Sequence, residues 1–459
     1  MSKYRLFADF GSTFTKLVAF DMEKEELAAR VQAPSTVESD IMLGLTAAFE
    51  EMGKIIPLDA ETLRSTVACS SAAGGLRMLC IGLVPDYTTE AGRLAALGAG
   101  AKVVGEYSFE LSRHEMDEIC ALSADIILLT GGTDGGNEKV IIHNARALAS
   151  RPDCAKHIVV AGNARANDRI REAFEGSGMS VFYADNVMPT LGKLNLGPVN
   201  ELIRRLFISH ITEAKGISRV KDTISEVKMP TPSAVFEAAK LIANGVPGVA
   251  YGLGDLLLVD VGGATTDVYS VCDGRPTQDG VETSGLTEPY AKRTVEGDIG
   301  LYHNLDTLAR LADTQNVGLE GEADALIKEL RSTRSIPSGG SSADNQLRLS
   351  RLAVSTAVAR HAGTLITELT PHGISFRQKG KDLGNVKYVI GGGGPVSFSA
   401  DPRYVLEGAA ADGRSSNILK PKSPSYFIDS QYILFAIGLL SIEQPDTAFR
   451  IIMKYLKEV

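Results

Sequence analysis

One arrangement of residues occurs twice and constrains this chain more than any other. Leu256-Leu257-Leu258-Val259-Asp260-Val261-Gly262-Gly263-Ala264-Thr265-Thr266-Asp267-Val268-Tyr269-Ser270-Val271 reads as a buried apolar strand, a glycine turn and a second, alternating strand. Such a hairpin turns several backbone N–H groups toward one concavity, with Asp260 at its mouth. Phosphate oxygens fit those amides, and a carboxylate there can hold Mg²⁺ directly or through water. An ordinary hairpin with an Asp and two Thr in its turn would look the same locally. The second copy is what shifts the balance: Tyr4–Asp21 repeats the design with Asp9, Gly11, Ser12, Thr13 and a returning strand. Two phosphate-gripping hairpins about 250 residues apart suggest a nucleotide clamped between two related lobes.

The 459 residues allow roughly three domains at ~150 residues each. An apolar content of 44% with 22% charged residues is that of a globular protein with a large core. A net charge of −9 and the lack of a basic run argue against nucleic acid as a partner. The longest apolar runs, such as Ile126–Leu129 and Leu256–Val259, are too short to span a bilayer. The first residues carry no secretory signal pattern, so a cytoplasmic location and no membrane partner are expected. Cys69, Cys80, Cys120, Cys154 and Cys272 are scattered and without C-x-x-C spacing. They are expected to be reduced, mostly buried thiols; only two subunits together could share an iron–sulfur cluster. His114, His143, His157 and His361 have no ligand-like spacing, so Mg²⁺ is the only metal expected.

Along the chain, residues 5–33 read as three strands, Ser39–Met52 as an amphipathic helix, Leu63–Cys69 as a strand, Ser70–Gly75 as a turn and Leu76–Val84 as a returning strand. From Thr88 helices and strands alternate as far as Ala184, which implies an inserted doubly wound parallel sheet at 85–190. Helices are expected near Val199–Thr212 and Ile217–Val227, then a small-residue helix at Pro232–Asn244. After the central hairpin, Gly274–Glu282 should extend its sheet, with helices at about 300–331 and a Ser/Gly-rich loop at Ser332–Asn345. A long helix at Leu347–Leu369, a strand at Val386–Ile390 and a small-residue helix at Gln431–Ser441 complete the reading. Expected segments are 1–84 and 191–250 for the first lobe, 251–430 for the second, and 431–459 for the C-terminal helices.

Asp9-Phe10-Gly11-Ser12-Thr13, Asp260–Asp267 and Gly391-Gly392-Gly393-Gly394-Pro395 stand in the order and spacing of the actin, Hsp70 and sugar-kinase superfamily. They resemble its phosphate-1, phosphate-2 and adenosine motifs, and Pro232–Asn244 and Gln431–Ser441 resemble its two connecting helices. The fold this resemblance implies is α/β, with two actin-like (ribonuclease H-like) lobes around a nucleotide cleft and an inserted doubly wound α/β domain. Within the superfamily the chain is similar to the glutamate mutase accessory proteins of the GlmL or MutL type. Ala8–Thr13, Ser70–Met78, Leu129–Gly136 and Thr294–Asp298 carry that similarity. It implies an ATP-driven chaperone, or reactivating factor, for an adenosylcobalamin-dependent mutase, with ATP and Mg²⁺ as cofactors and the mutase subunits as partners.

Phosphoryl transfer needs mainly positioning and charge neutralisation. The amides of Gly11, Ser12 and Thr13 would cradle one end of the triphosphate, those of Gly262, Gly263 and Ala264 the other. Asp9 and Asp260 would hold Mg²⁺. Strand period does not by itself aim Lys16 at the site; the superfamily's usual phosphate lysine and a solvated strand lysine both remain open. Thr13, Thr265 and Thr266 could donate to γ-phosphate oxygens. Asp267 could orient water, act as a second acid, or cap its turn. Gly391, Gly392, Gly393 and Gly394 let backbone approach a ring or ribose. Glu296 and Asp298 either face the nucleotide or are solvated loop acids. Hsp70-like members carry a Glu before the connecting-helix proline, where this chain has Thr231; Glu237 lies one and a half turns further on. The loop Thr130–Asn137 follows a strand and opens a helix, and reads as an anion pocket, a docking surface or a structural loop.

The alternative to a chaperone is a small-molecule kinase, which requires a carboxylate base facing the cleft. A dehydratase-activator reading requires cysteines placed for a shared cluster. An actin-like filament scaffold has no test in the sequence.

Overall fold

A computed structural model of the chain describes residues 3–37, 39–71, 76–212, 223–319, 327–329, 340–371, 373–413 and 416–459. Along the chain its strands are β1 (Tyr4–Phe10), β2 (Phe14–Asp21), β3 (Glu26–Pro34), β4 (Val67–Ser70), β5 (Arg77–Gly82), β6 (Lys102–Ser108), β7 (Ala124–Leu129), β8 (Ala155–Val160), β9 (Ser180–Tyr183) and β10 (Glu226–Pro230). They continue with the short β11 (Gly245–Val246) and β12 (Ala250–Tyr251), then β13 (Leu256–Val261), β14 (Thr266–Val271), β15 (Val281–Ser284), β16 (Ala291–Glu296), β17 (Thr364–Thr370), β18 (Gly373–Lys379), β19 (Tyr388–Gly392), β20 (Ser425–Asp429) and β21 (Leu456–Glu458).

The chain divides into two compact units. The first, made of Met1–Ala72, Ala214–Ser284 and Tyr290–Val459, contains both hairpins. Its first sheet runs β10-β4-β1-β2-β3, with β1, β2 and β3 antiparallel and β1, β4 and β10 parallel. Its second sheet runs β16-β14-β13-β19-β20 with the same pattern of directions, and β21 adds an antiparallel edge. Both sheets therefore have the ribonuclease H-like order 3-2-1-4-5. The duplication seen in the two hairpins is a duplication of whole lobes.

Each fifth strand feeds a connecting helix, Thr231–Asn244 from β10 and Leu434–Ser441 from β20. The first helix buries an Ala-rich face and the second an aliphatic one with Ala436 and Gly438, in one core with Phe7 and Val18 of the first sheet and Tyr269 and Ile390 of the second. Their small residues set the spacing. A Cβ on Gly438 would fall 1.7 Å from the Ala234 carbonyl oxygen, so the helices cross with backbone against backbone.

The second unit, Ala73–Glu213 with Gly285–Pro289, holds an all-parallel sheet in the order β6-β5-β7-β8-β9. This is the doubly wound 2-1-3-4-5 arrangement. It starts earlier than the expected 85–190, because Leu76–Val84 does not return to the first lobe. That segment supplies β5, which pairs with β6 and β7 in the second unit's sheet. The loop 130–137 is bolted down by side chains. Asn163 accepts from the Gly135 amide (3.1 Å) and donates to the carbonyls of Gly136 and Asn137 (both 3.3 Å), and Asn186 donates to the Gly132 carbonyl (3.0 Å).

Other expectations are corrected. Glu226–Val227 belongs to β10, not a helix; the rest of the helix expected at Ile217–Val227 falls largely outside the described residues, as do Ala72–Gly75 and residues 332–339 of the expected Ser/Gly loop. Residues 340–345 of that loop open the helix Gly340–His361, and Leu365–Leu369, expected to end that helix, lies in β17. β15 joins β18 and β17 in a separate sheet instead of extending the hairpin, whose neighbour is β16. Cys120 and Cys154, expected as separate thiols, are joined, with Cα atoms 4.0 Å apart; Cys120 lies near the end of the helix Arg113–Ala121 and Cys154 in the turn just before β8. Cys69, Cys80 and Cys272 are free and buried. Among the described residues no helix is long and apolar enough to cross a membrane.

Replacing Gly438 with Ala should destabilise the protein by about 1–3 kcal/mol, because overpacking at a backbone contact outweighs the gain of ~1 kcal/mol in helix propensity. Denaturant unfolding checks this; an unchanged midpoint would contradict the close crossing.

Candidate functional site

The two hairpins are alike down to their turn hydrogen bonds. Phe10 pairs with Thr15 and the Gly11 amide donates to the Phe14 carbonyl (3.1 Å); Val261 pairs with Thr266 and the Gly262 amide donates to the Thr265 carbonyl (2.9 Å). Those two N–H groups close their own turns, so Gly11 and Gly262 are removed from the expected set of phosphate donors. The carbonyls behind the turns are braced. Gly11 O accepts from the Ser35 hydroxyl (2.7 Å), Gly262 O from the Leu301 amide (3.0 Å), and Gly263 O from the amides of Tyr302 (2.9 Å) and His303 (2.8 Å). Across each planar peptide the following amide points the opposite way, which turns the N–H groups of Ser12, Gly263 and Ala264 outward. These three and the Thr13 amide make no hydrogen bond among the described residues. The turns face one another: a Cβ on Gly263 would lie 3.2 Å from Thr13 Oγ1.

The charges behind the turns follow from register. Asp9 pairs across the first hairpin with Lys16, and Asp260 across the second with Asp267. Cross-strand partners share a face, so Lys16 points where Asp9 points, a direction that strand period alone could not give. Lys16 Nζ donates to Asp9 Oδ2 (2.8 Å) and to the Tyr432 hydroxyl (3.0 Å). Burial opposes its charge, but Asp9 and Tyr432 more than offset this and raise its pKa above the usual lysine value. Asp9 Oδ1 accepts from the Thr231 hydroxyl (2.5 Å), so both oxygens of this buried carboxylate are engaged.

Asp267 is neutralised too. Buried Arg293 donates to its Oδ1 through Nε (3.0 Å) and Nη2 (2.6 Å), and the Thr265 hydroxyl donates to Oδ2 (3.0 Å). An acid so held is an electrostatic and structural element, not a water-orienting base. Thr266 is also withdrawn from the expected phosphate donors, since its buried hydroxyl donates to the Ile299 carbonyl (2.6 Å).

Asp260 is the exception. Among the described residues nothing hydrogen-bonds its carboxylate, although it stays partly accessible. Burial, then the charges of Asp267 and Asp9, push it up to about 7 against the pull of Lys16. Lys16 and Asp9 of the first hairpin are thus close enough to act on it. A carboxylate short of positive charge, beside outward amides, fits a divalent cation. Asp260 would hold Mg²⁺ directly; Asp9, satisfied by Lys16 and Thr231, would reach it through water.

Of the glycine run, Gly391 backs onto Val396 and Leu406, Gly392 onto Asp260 and Leu434, and Gly393 (φ 84°) onto the Val261 carbonyl. Only Gly394 adjoins open space. Gly391 and Gly392 are small under the side chains of Val396, Leu406 and Leu434, and Gly393 against the β13 backbone; ligand approach is left to Gly394. Glu296 and Asp298 are both paired with Arg360, at 2.6 and 2.8 Å. Glu237 pairs with Lys240 (2.7 Å), and its six-residue separation from Thr231 corresponds to ~9 Å along the helix. Sequence reasoning missed Arg293, Asp429 and Tyr432. The last two lie where the second lobe's fifth strand enters its helix, and the repeat would have marked that place had β10 been recognised.

A model of the family described as MutL protein matches residues 5–456. The chain is 43% identical over 460 residues to Protein MutL of Clostridium tetanomorphum, covering 99% of each. Similar solved structures include component A of the Acidaminococcus fermentans (R)-2-hydroxyglutaryl-CoA dehydratase (12% identity, 99% of both chains, TM-score 0.31). A ROK family glucokinase from Streptomyces griseus, in complex with glucose and AMPPNP, is 11% identical over 96% of this chain and 98% of its own (TM-score 0.33).

The raised Asp260 pKa has a sign that can be measured. Between the ordinary 3.8 and about 7 the folded state holds a proton that the unfolded state has lost, so metal-free stability falls as pH rises through that window. Mg²⁺ binds the ionised form, so its stabilising shift in thermal midpoint should grow between about pH 6 and pH 8 and then level off. Asp260→Asn should abolish that growth; a shift of equal size in the variant would remove Asp260 as the ligand.

Proposed function

The chain belongs to the MutL protein family, and from that premise we propose that it is an ATP- and Mg²⁺-binding accessory protein. In this reading it hydrolyses ATP slowly and uses the closing of its two lobes to act on an adenosylcobalamin-dependent mutase of the glutamate mutase or aminomutase type. The observation that carries the nucleotide reading is the meeting of the two turns, with Thr13 against Gly263 and outward amides on both sides. Ser12 and Thr13 would bind phosphate from one lobe and Gly263 and Ala264 from the other, with Lys16 offering its remaining N–H.

Charge accounting favours a slow ATPase over a kinase. Asp9 and Asp267 each have a cation, and Asp260 would be taken by the metal. That leaves none of these three carboxylates to deprotonate an acceptor hydroxyl. Thr231 bonds to Asp9 where Hsp70-like members place a glutamate, so water is poorly activated. The free cysteines are buried, which gives no support to an electron-donor role. The mutase as partner rests on the family alone.

Basal turnover is expected on the order of 10⁻² s⁻¹ or below, as for nucleotide switches that lack a partner-supplied group. It should be abolished by Asp260→Asn. Affinity capture from the native cell, with and without MgATP, should retain a cobalamin enzyme in a nucleotide-dependent way. Phosphorylation of a metabolite without such capture would establish the kinase instead.

A further inference from the structure

Each lobe sends one hydroxyl to the same ion pair, and each hydroxyl comes from the entrance of a connecting helix. At the end of β10, Thr231 donates to Asp9 Oδ1 (2.5 Å). Beyond β20, Tyr432 accepts from Lys16 Nζ (3.0 Å), and its ring lies 4.5 Å from that nitrogen. We propose that Tyr432 is a positioning residue for Lys16, which fixes the lysine for a phosphate and ties phosphate occupancy to the second connecting helix.

The backbone around Tyr432 supports this. Tyr432 has φ 56°, a left-handed conformation that a bulky residue adopts only when its surroundings demand it. Asp429 makes the demand. Its buried carboxylate accepts from the amides of Gln431 (3.2 Å), Ile433 (2.6 Å) and Leu434 (2.9 Å), which winds the chain tightly and turns residue 432 toward the site. Two further groups lie near the ring, Phe398 with its centroid 6.3 Å away and Arg30. Arg30 lies 6.0 Å from it and 4.8 Å from Phe398, which follows the glycine run. A phenol in that grip has little freedom, and neither has the ammonium bonded to it.

Lys16 has three N–H donors. Asp9 takes one and Tyr432 a second, so the third is aimed by the other two. A phosphate oxygen that binds the third N–H draws on the same ammonium and so loads the Tyr432 contact, and Tyr432 sits two residues before the helix that crosses Ala234 at Gly438. Nucleotide state is thereby transmitted to the second connecting helix through the Tyr432 hydroxyl.

This rests on the nucleotide reading above, and the test separates the two. Adenosine, ADP and MgATP are titrated calorimetrically into the wild type, Tyr432→Phe, Lys16→Met and the double variant. Adenosine reports the base and ribose contacts, and the phosphates report Lys16. Tyr432→Phe should weaken ADP and MgATP about tenfold, leave adenosine and the thermal midpoint unchanged, and add nothing once Lys16 is Met. Equal losses for all three ligands would mean a merely structural tyrosine. A full tenfold loss persisting in the Lys16→Met background would mean that it acts by another route; either result overturns the proposal. Wild type that binds none of the three would sink the nucleotide reading itself.

Discussion

The site depends on one asymmetry between two otherwise equal hairpins. At the same register each places an acid, and opposite it each places a charge, but Asp9 faces a lysine and Asp260 faces another aspartate. A buried carboxylate without a counter-charge costs several kcal/mol unless it is protonated or given a cation. Asp267 has its own arginine, so the deficit falls on Asp260 alone. Among the described residues the hairpin acids therefore leave Asp260 without an ion-pair partner, beside two sets of outward amides that suit an anion. A magnesium–phosphate ion pair meets both requirements at once.

Around Asp260 the fold provides rigidity where charge is held and closeness where the two helices cross. The carbonyls behind both turns are bonded, which fixes the amides ahead of them. The connecting helices, in contrast, touch through Gly438 and Ala234 with almost no side chain between them. The two lobes also share the apolar core around both helices, so a rotation between them would pivot on this close crossing while each sheet stays intact. The hydroxyls of Thr231 and Tyr432 at the entrances of those helices join the hinge to the ion pair.

Much of this was legible in the residues, and the limits have physical causes. The hairpins were readable because strand–Asp–Gly–strand is a local pattern, the first connecting helix because Ala234, Ala238 and Ala239 recur at helical spacing, and the second because Ala436 and Gly438 interrupt an apolar run. β10 was hidden because Glu226-Val227-Lys228-Met229-Pro230 is short and has no turn signal separating it from a helical pattern. β17 was hidden because Leu365, Ile366 and Leu369 also fit the face of the helix before them. The side chains that decide the chemistry were harder still. Lys16 needed the hairpin register, Arg293 stands twenty-six positions from Asp267, and Thr266 reads as a free hydroxyl until Ile299 is seen beside it. The second unit's boundary moved because an apolar strand such as β5 can pair in either of two sheets. Sequence gives the strand and not its neighbours.

The central claim is that both turns grip one ligand. Hydrogen exchange at the backbone amides of Ser12, Thr13, Gly263 and Ala264, followed with and without MgATP, tests it most directly. Simultaneous slowing at all four, with one concentration dependence, is the predicted result. Protection confined to one turn, or at neither, would contradict the account.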